Sequence, residues 1–376
     1  MREDLPTSIK FLLLPVCLLG LPFLGFMISG QPLAPLLEFP PSTSTVTHAP
    51  FSWIVFGLFG VVEVGLIASL LFLLFGGSST STKPLSAPPR TQFPWWGWVS
   101  LGSLFLFWFL AWTRFAWFAD IQGLTFTPLW ISFIMFLNAL TYQRTGQCLF
   151  LNHPRFFISL FLWSAMFWWY FEYLNRFVQN WRYSGLEPMT ATYYVMHSTL
   201  AFSTVLPAVF STCQFLQTFS FLSNRTYQRP LDIPQPTNLV WVLLFFSSTC
   251  LVGLAIWPNY FFSFLWIAPL LFMLGIQMRW GKSTIISALS QGRWQVITTP
   301  ACAAILCGFF WEMWNVNSAA KWVYSIPFVD RFHLFEMPLL GYAGYVPFGL
   351  ECVVAMDFFF RGRQCLDVMD WSNNRG

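Results

Sequence analysis

Two stretches of the chain carry the same polar residues at nearly the same spacing. "FWWYFEYLNRFVQNWRYSG" runs from Phe167 to Gly185, and "FFWEMWNVNSAAKWVYSIP" from Phe309 to Pro327. Each contains E-x-x-N and, after a spacer that differs by one residue, W-x-Y. These are Glu172, Asn175, Trp181 and Tyr183 in the first, and Glu312, Asn315, Trp322 and Tyr324 in the second. A glutamate and an asparagine three residues apart share one face of a helix. A carboxyl in an apolar wall favours its protonated form, which suits a general acid. Indole and phenol faces beside it, here including Trp311 and Trp314, stabilise a developing cation. The plainer alternative is that Trp and Tyr anchor helices at a membrane surface.

Ionisable side chains inside spanning segments face a bundle interior and mark a site or a partner pair. Besides the two motif glutamates these are Glu63, Arg114, His197, Glu336 and Glu351. Arg114 is expected near the outer end of its helix, and His197 and Glu336 near the starts of theirs, so all three join the motifs at one depth. Glu351, fifteen residues after Glu336, falls about 22 Å further along a helix. Arg114 paired with either motif glutamate would instead fix packing. Glu336 before Met337-Pro338 would instead start a helix. The candidate acids are therefore Glu312, Glu172 and Glu336. The candidate ligand-binding residues are Asn315, Asn175, Trp311, Trp314, Trp322, Tyr324, Trp181, Tyr183, Arg114 and His197.

The elements that must position them follow from composition. Of 376 residues, 56% are hydrophobic and 9% charged, with a mean hydropathy of +0.58. Soluble domains carry roughly 25% charged residues, so this chain needs a lipid solvent and reads as an all-α, polytopic transmembrane helix bundle. Apolar runs of bridging length fall at 11–29, 52–76, 95–118, 125–142, 156–176, 192–216, 237–256, 259–279, 298–317 and 336–359, about ten helices. Pro128 and Pro269 fall inside the fourth and eighth. The run 11–29 has no small-residue cleavage site after it and reads as a retained first helix.

With a cytoplasmic N-terminus, the cytoplasmic segments hold Arg2, Lys10, Lys83, Arg90, Arg144, Arg155, Arg225, Arg229, Arg279, Lys282, Arg293, Arg361, Arg363 and Arg375. The other side holds only Arg176, Arg182, Lys321 and Arg331. That bias places both termini in the cytoplasm of an inner-membrane protein. The Ser/Thr/Pro-rich linker Ser78–Pro94 separates an N-terminal helix pair (1–94) from the rest. The motifs divide that remainder into two four-helix repeats, 95–236 and 237–376. With an even helix count the repeats are parallel, related by an axis along the membrane normal.

The order of acid, x-x-Asn, W-x-Y, Pro and an acid-bearing apolar helix resembles the lycopene cyclase domain of bacterial and fungal carotenoid cyclases, and the membrane carotenoid hydratases. The matching residues are Glu312, Asn315, Trp322, Tyr324, Pro327 and Glu336-Met337-Pro338, and in the earlier copy Glu172, Asn175, Trp181, Tyr183 and Glu187-Pro188. The resemblance implies proton-initiated chemistry on an isoprenoid double bond by a cofactor-independent lyase or isomerase. This chain departs from that pattern in having one glutamate in "FEMP" where the family has Pro-x-Glu-Glu, and four helices per unit rather than about three.

Other classes find little support. "GIQMRWGKS" has five residues between its glycines where a phosphate-binding loop has four. The histidines lack metal-ligand spacing, the eight cysteines form no CxxC and read as small hydrophobes, and the dispersed basic residues carry no nucleic-acid signature. Expected partners are a membrane lipid or hydrophobic small molecule, and membrane-protein subunits, with no nucleic acid, cofactor or metal. The alternatives are a non-catalytic subunit or scaffold binding lipid, pigment or quinone, and a transporter. The placement of the acids away from the midplane speaks against transport.

Overall fold

The computed structural model describes residues 7–41, 47–76, 91–185, 190–219, 222 and 237–359. Helices form nearly all of it: α1 (Thr7–Ser29), α2 (Trp53–Phe75), α3 (Trp95–Trp112), α4 (Phe126–Thr145), α5 (Pro154–Val178), α6 (Ala191–Phe202), α7 (Val205–Leu216), α8 (Thr237–Ile256), α9 (Ala268–Arg279), α10 (Gln295–Val316) and α11 (Tyr345–Phe359). Eight helical segments among the described residues are long and apolar enough to cross a membrane. A ninth is the pair Pro258–Trp266 and Ala268–Arg279, bent by 54°. With the 25-residue α5 these match the ten expected elements. Large apolar side chains cover the outside, with Phe245 of α8 78% exposed. Such a surface is stable against hydrocarbon, and the protein is a multi-pass membrane bundle.

The two prolines that fall inside the fourth and eighth expected spans lie in the first turns of helices. A 3-10 helix, Ala116–Thr125, leads into α4, whose Pro128 lies in the first turn. Another, Phe262–Trp266, leads into α9, which carries Pro269 at its start. Proline suits that position because the first-turn N–H groups have no helical acceptor. The expected span 192–216 breaks at Ser203-Thr204 into α6 and α7. The expected span 336–359 begins later, with a 3-10 turn over Leu339–Gly344 and then α11. The linker residues 77–90 lie outside the described residues.

From α3 to α7 and from α8 to α11 the elements follow one order. A helix is followed by a 3-10 turn, a proline-started helix (α4, α9) and a short helical turn (Leu149–Asn152, Ile285–Leu289). Then come a long helix bearing E-x-x-N (α5, α10), a strand (β1, Trp181–Ser184; β2, Lys321–Tyr324) and a closing helical segment. α7 packs between α4, α5 and α10, α10 also packs on α11, and α1 lies along α8. Trp130, Phe171, Phe210, Trp314 and Phe348 fill the centre.

Candidate functional site

The two motifs make the same helix-to-strand turn and then pair with each other. Helices α5 and α10 end at the asparagines' turns. The Asn175 amide donates to Trp181 O (2.7 Å), and its Oδ1 accepts from the Trp181 backbone N–H (3.3 Å). Asn315 makes the same two bonds to Trp322 (2.8 and 2.9 Å). Each clamp turns the chain back from the helix end into a strand. The strands then run antiparallel, with Trp181 opposite Tyr324, Arg182 opposite Val323 and Tyr183 opposite Trp322. Motif-equivalent residues therefore exchange places about the central Arg182–Val323 pair. Gly185 ends the ladder at φ 76°, in the left-handed region, where a Cβ would lie 1.9 Å from Ala319 O. Only glycine meets both demands.

The carboxyls are held from one side. Oε1 of Glu172 accepts from Trp168 Nε1 (3.1 Å), Trp181 Nε1 (3.0 Å) and Tyr183 OH (2.6 Å). Oε1 of Glu312 accepts from Tyr324 OH (2.8 Å) and Tyr345 OH (2.9 Å), and shares the Trp322 indole N–H (3.4 Å) with the nearer Tyr324 hydroxyl oxygen (3.0 Å). The third donor differs between copies. Trp168 sits one turn before Glu172, and the residue one turn before Glu312 is Gly308. A Cβ on Gly308 would lie 2.4 Å from the Tyr345 ring, so α11 lends Tyr345 to the space that Trp168 takes in the first copy. Three donors on one oxygen fix a carboxyl's orientation. The other oxygen of Glu312, Oε2, is buried and has no hydrogen-bond partner. Burial, with the neighbouring glutamate charge, holds the strand phenols of Tyr183 and Tyr324 well above their ordinary range, so both stay protonated donors.

A cavity of about 140 Å³ opens where the two motifs meet. Glu312 lines it, as do all six donors to the two carboxyls. Trp266, Trp311, Phe126 and Phe348 add further aromatic faces, and Asn180 and Lys321 add polar groups. Asn180 Nδ2 donates to Phe262 O (3.2 Å), whereas its Oδ1 is buried without a partner. His197 also lines the cavity, and its Nε2 meets Gly123 O at 2.9 Å.

The candidate residues thus separate into three groups. Glu312, Trp311, Trp322, Tyr324, Trp181, Tyr183 and His197 line the cavity. Glu172, Asn175 and Asn315 stand behind the wall and position it. Arg114, Glu336 and Trp314 belong elsewhere. Arg114 lies in the loop after α3, not within a helix, and donates to the carbonyls of Ala111, Thr113 and Asn317, tying α3 to the end of α10. It pairs with neither motif glutamate, because carbonyls freed at the two helix ends take its donors. Glu336 does not start a helix. It adjoins the hairpin of β3 (His333–Leu334) and β4 (Met337–Pro338) and binds Lys321 Nζ at 2.5 Å. Trp314 packs on Trp130 and Phe133, away from the cavity. Glu187-Pro188 lies outside the described residues.

Sequence reasoning missed Trp168, Trp266, Asn180 and Tyr345. Trp168 was findable, since an i,i+4 pair with Glu172 shares its helix face. Tyr345 lies 33 residues beyond Glu312 and reaches it only through the packing of α11 on α10. Among the described residues no cluster of His, Cys, Asp or Glu is placed to hold a metal ion. Comparison with family models, curated proteins and solved structures finds no match to the chain.

Proposed function

We propose that this multi-pass membrane protein binds the end group of a lipid-like molecule in the aromatic cavity, with Glu312 as the residue that engages it. The observation that carries the reading is the oriented carboxyl: three donors reach Oε1, and Oε2 is left unanswered in a wall rich in aromatic rings. A cavity of about 150 Å³ takes up benzene, so 140 Å³ suits one ring or a branched end group, and the rest of a longer molecule would lie outside. The shared element order and the matched hydrogen bonds of the motifs support two four-helix units derived from one plan, 95–236 and 237–376, with the cavity between them. The distribution of Lys and Arg supports a cytoplasmic-membrane protein with both termini inside and the cavity at the non-cytoplasmic face.

Gly123 provides the test. A Cβ there meets nothing nearer than Ala320 Cβ at 3.8 Å, so a large side chain can enter the cavity without moving backbone. Small molecules that co-purify with the protein, identified by mass spectrometry, should be depleted several-fold in Gly123→Phe. An unchanged profile would remove the cavity from consideration.

The catalytic form of this reading is proton-initiated cyclisation or hydration, in keeping with the resemblance to lycopene cyclase domains and carotenoid hydratases. Glu312 would protonate a terminal double bond, and the indole faces would stabilise the carbocation. Glu312→Gln should then abolish product while the protein stays folded in the membrane. One observation favours binding over two-acid chemistry: Glu172 stands behind the cavity wall and does not line it.

A further inference from the structure

We infer that the group held in this cavity is a protonated amine that presents N–H donors to Glu312 and Asn180. The inference rests on the cavity being a ligand site and adds the chemical class of the ligand. The wall contains two buried atoms without partners, Glu312 Oε2 and Asn180 Oδ1. Both are acceptors. A buried acceptor is costly unless a donor meets it, so the missing group is a donor. Its charge follows from the wall, where several indole and phenol rings accompany one carboxyl; aromatic rings with an anion form the recognition pattern for an organic ammonium. Among the described residues the wall does not itself supply that cation. Lys321, the cation in the wall among the described residues, is bound to Glu336 and to Val316 O. A neutral hydrocarbon would answer neither acceptor. A quaternary ammonium would answer the charge and the rings but would offer Asn180 no N–H.

The test uses the full chain in detergent, titrated with cyclohexylammonium, cyclohexanol and tetramethylammonium and followed by tryptophan fluorescence. Cyclohexylammonium should bind at least about tenfold more tightly than cyclohexanol, because only it forms the charge-assisted bond. It should also bind more tightly than tetramethylammonium. Glu312→Gln should remove the preference for the ammonium over the alcohol, and Asn180→Ala should weaken the ammonium alone, with circular dichroism reporting that both variants fold. Equal binding of alcohol and amine, or tighter binding of tetramethylammonium, would overturn the inference. If amine and alcohol bind equally and Gly123→Phe blocks both, the cavity reading stands and the amine falls. If no probe binds, or Gly123→Phe changes nothing, both fall.

Discussion

Asn175 and Asn315 each close a helix-to-strand turn with two hydrogen bonds to one residue. Removing either side chain leaves a backbone N–H and C=O, buried at Trp181 and part-buried at Trp322, without those partners, which costs about 1–3 kcal/mol. Asn175→Ala and Asn315→Ala should therefore lower stability by similar amounts in thermal unfolding. A large loss at one and none at the other would contradict the equivalence of the turns. The cysteines form no disulfide among the described residues. Burial pushes the Cys148 thiol, between α4 and α5, up to about 11, partly offset by the backbone N–H groups of Leu151 and Phe150. Thiolate is the reactive form, so Cys148 should resist maleimide at neutral pH in the folded protein and react on denaturation. The E-x-x-N face was legible because helical spacing is local. The free oxygen of Glu312 was not, because the donors that orient it come from two other elements, β2 and α11.

At the scale of elements, two helix crossings depend on glycine. A Cβ on Gly25 of α1 would lie 2.2 Å from Val252 O of α8, and one on Gly349 of α11 would lie 2.1 Å from Pro300 O of α10. Small residues at such crossings let helix backbones approach in a membrane. Gly349→Leu should disrupt the α10–α11 pair and with it the Tyr345–Glu312 bond, so cavity probes should bind more weakly. Gly25→Leu should loosen α1 and leave probe binding intact. Glu351 on α11 is buried with both carboxyl oxygens unpartnered, as is the hydroxyl of Tyr170 on α5. Replacing a buried unsatisfied group by an apolar one of similar size relieves about 1–3 kcal/mol. Glu351→Met should raise the unfolding midpoint, and a lowered midpoint would show that the carboxyl has a stabilising partner. Apolar run length located the elements well. It missed where they break, because a proline inside an apolar run reads as a defect, whereas here 3-10 turns place Pro128 and Pro269 at helix starts.

For the whole molecule, the proposed orientation puts the strands and the cavity on one side and the loop between α9 and α10 on the other. A cysteine at exposed His333 should be labelled by an impermeant reagent in intact cells, and one at Ser283 only after the membrane is opened. The reverse pattern would invert the topology. Composition and local spacing specify the solvent, the approximate spans and the recurrence of E-x-x-N with W-x-Y. These depend on run length and on residues a few positions apart, which a linear pattern records. Tertiary structure alone decided that the two motifs pair as strands, that Arg114 and Glu336 bind elsewhere, and that Glu312 rather than Glu172 lines the cavity. The physical reason is packing: Gly308 leaves a space that Trp168 fills in the other copy, and the chain fills it with Tyr345 from a distant helix.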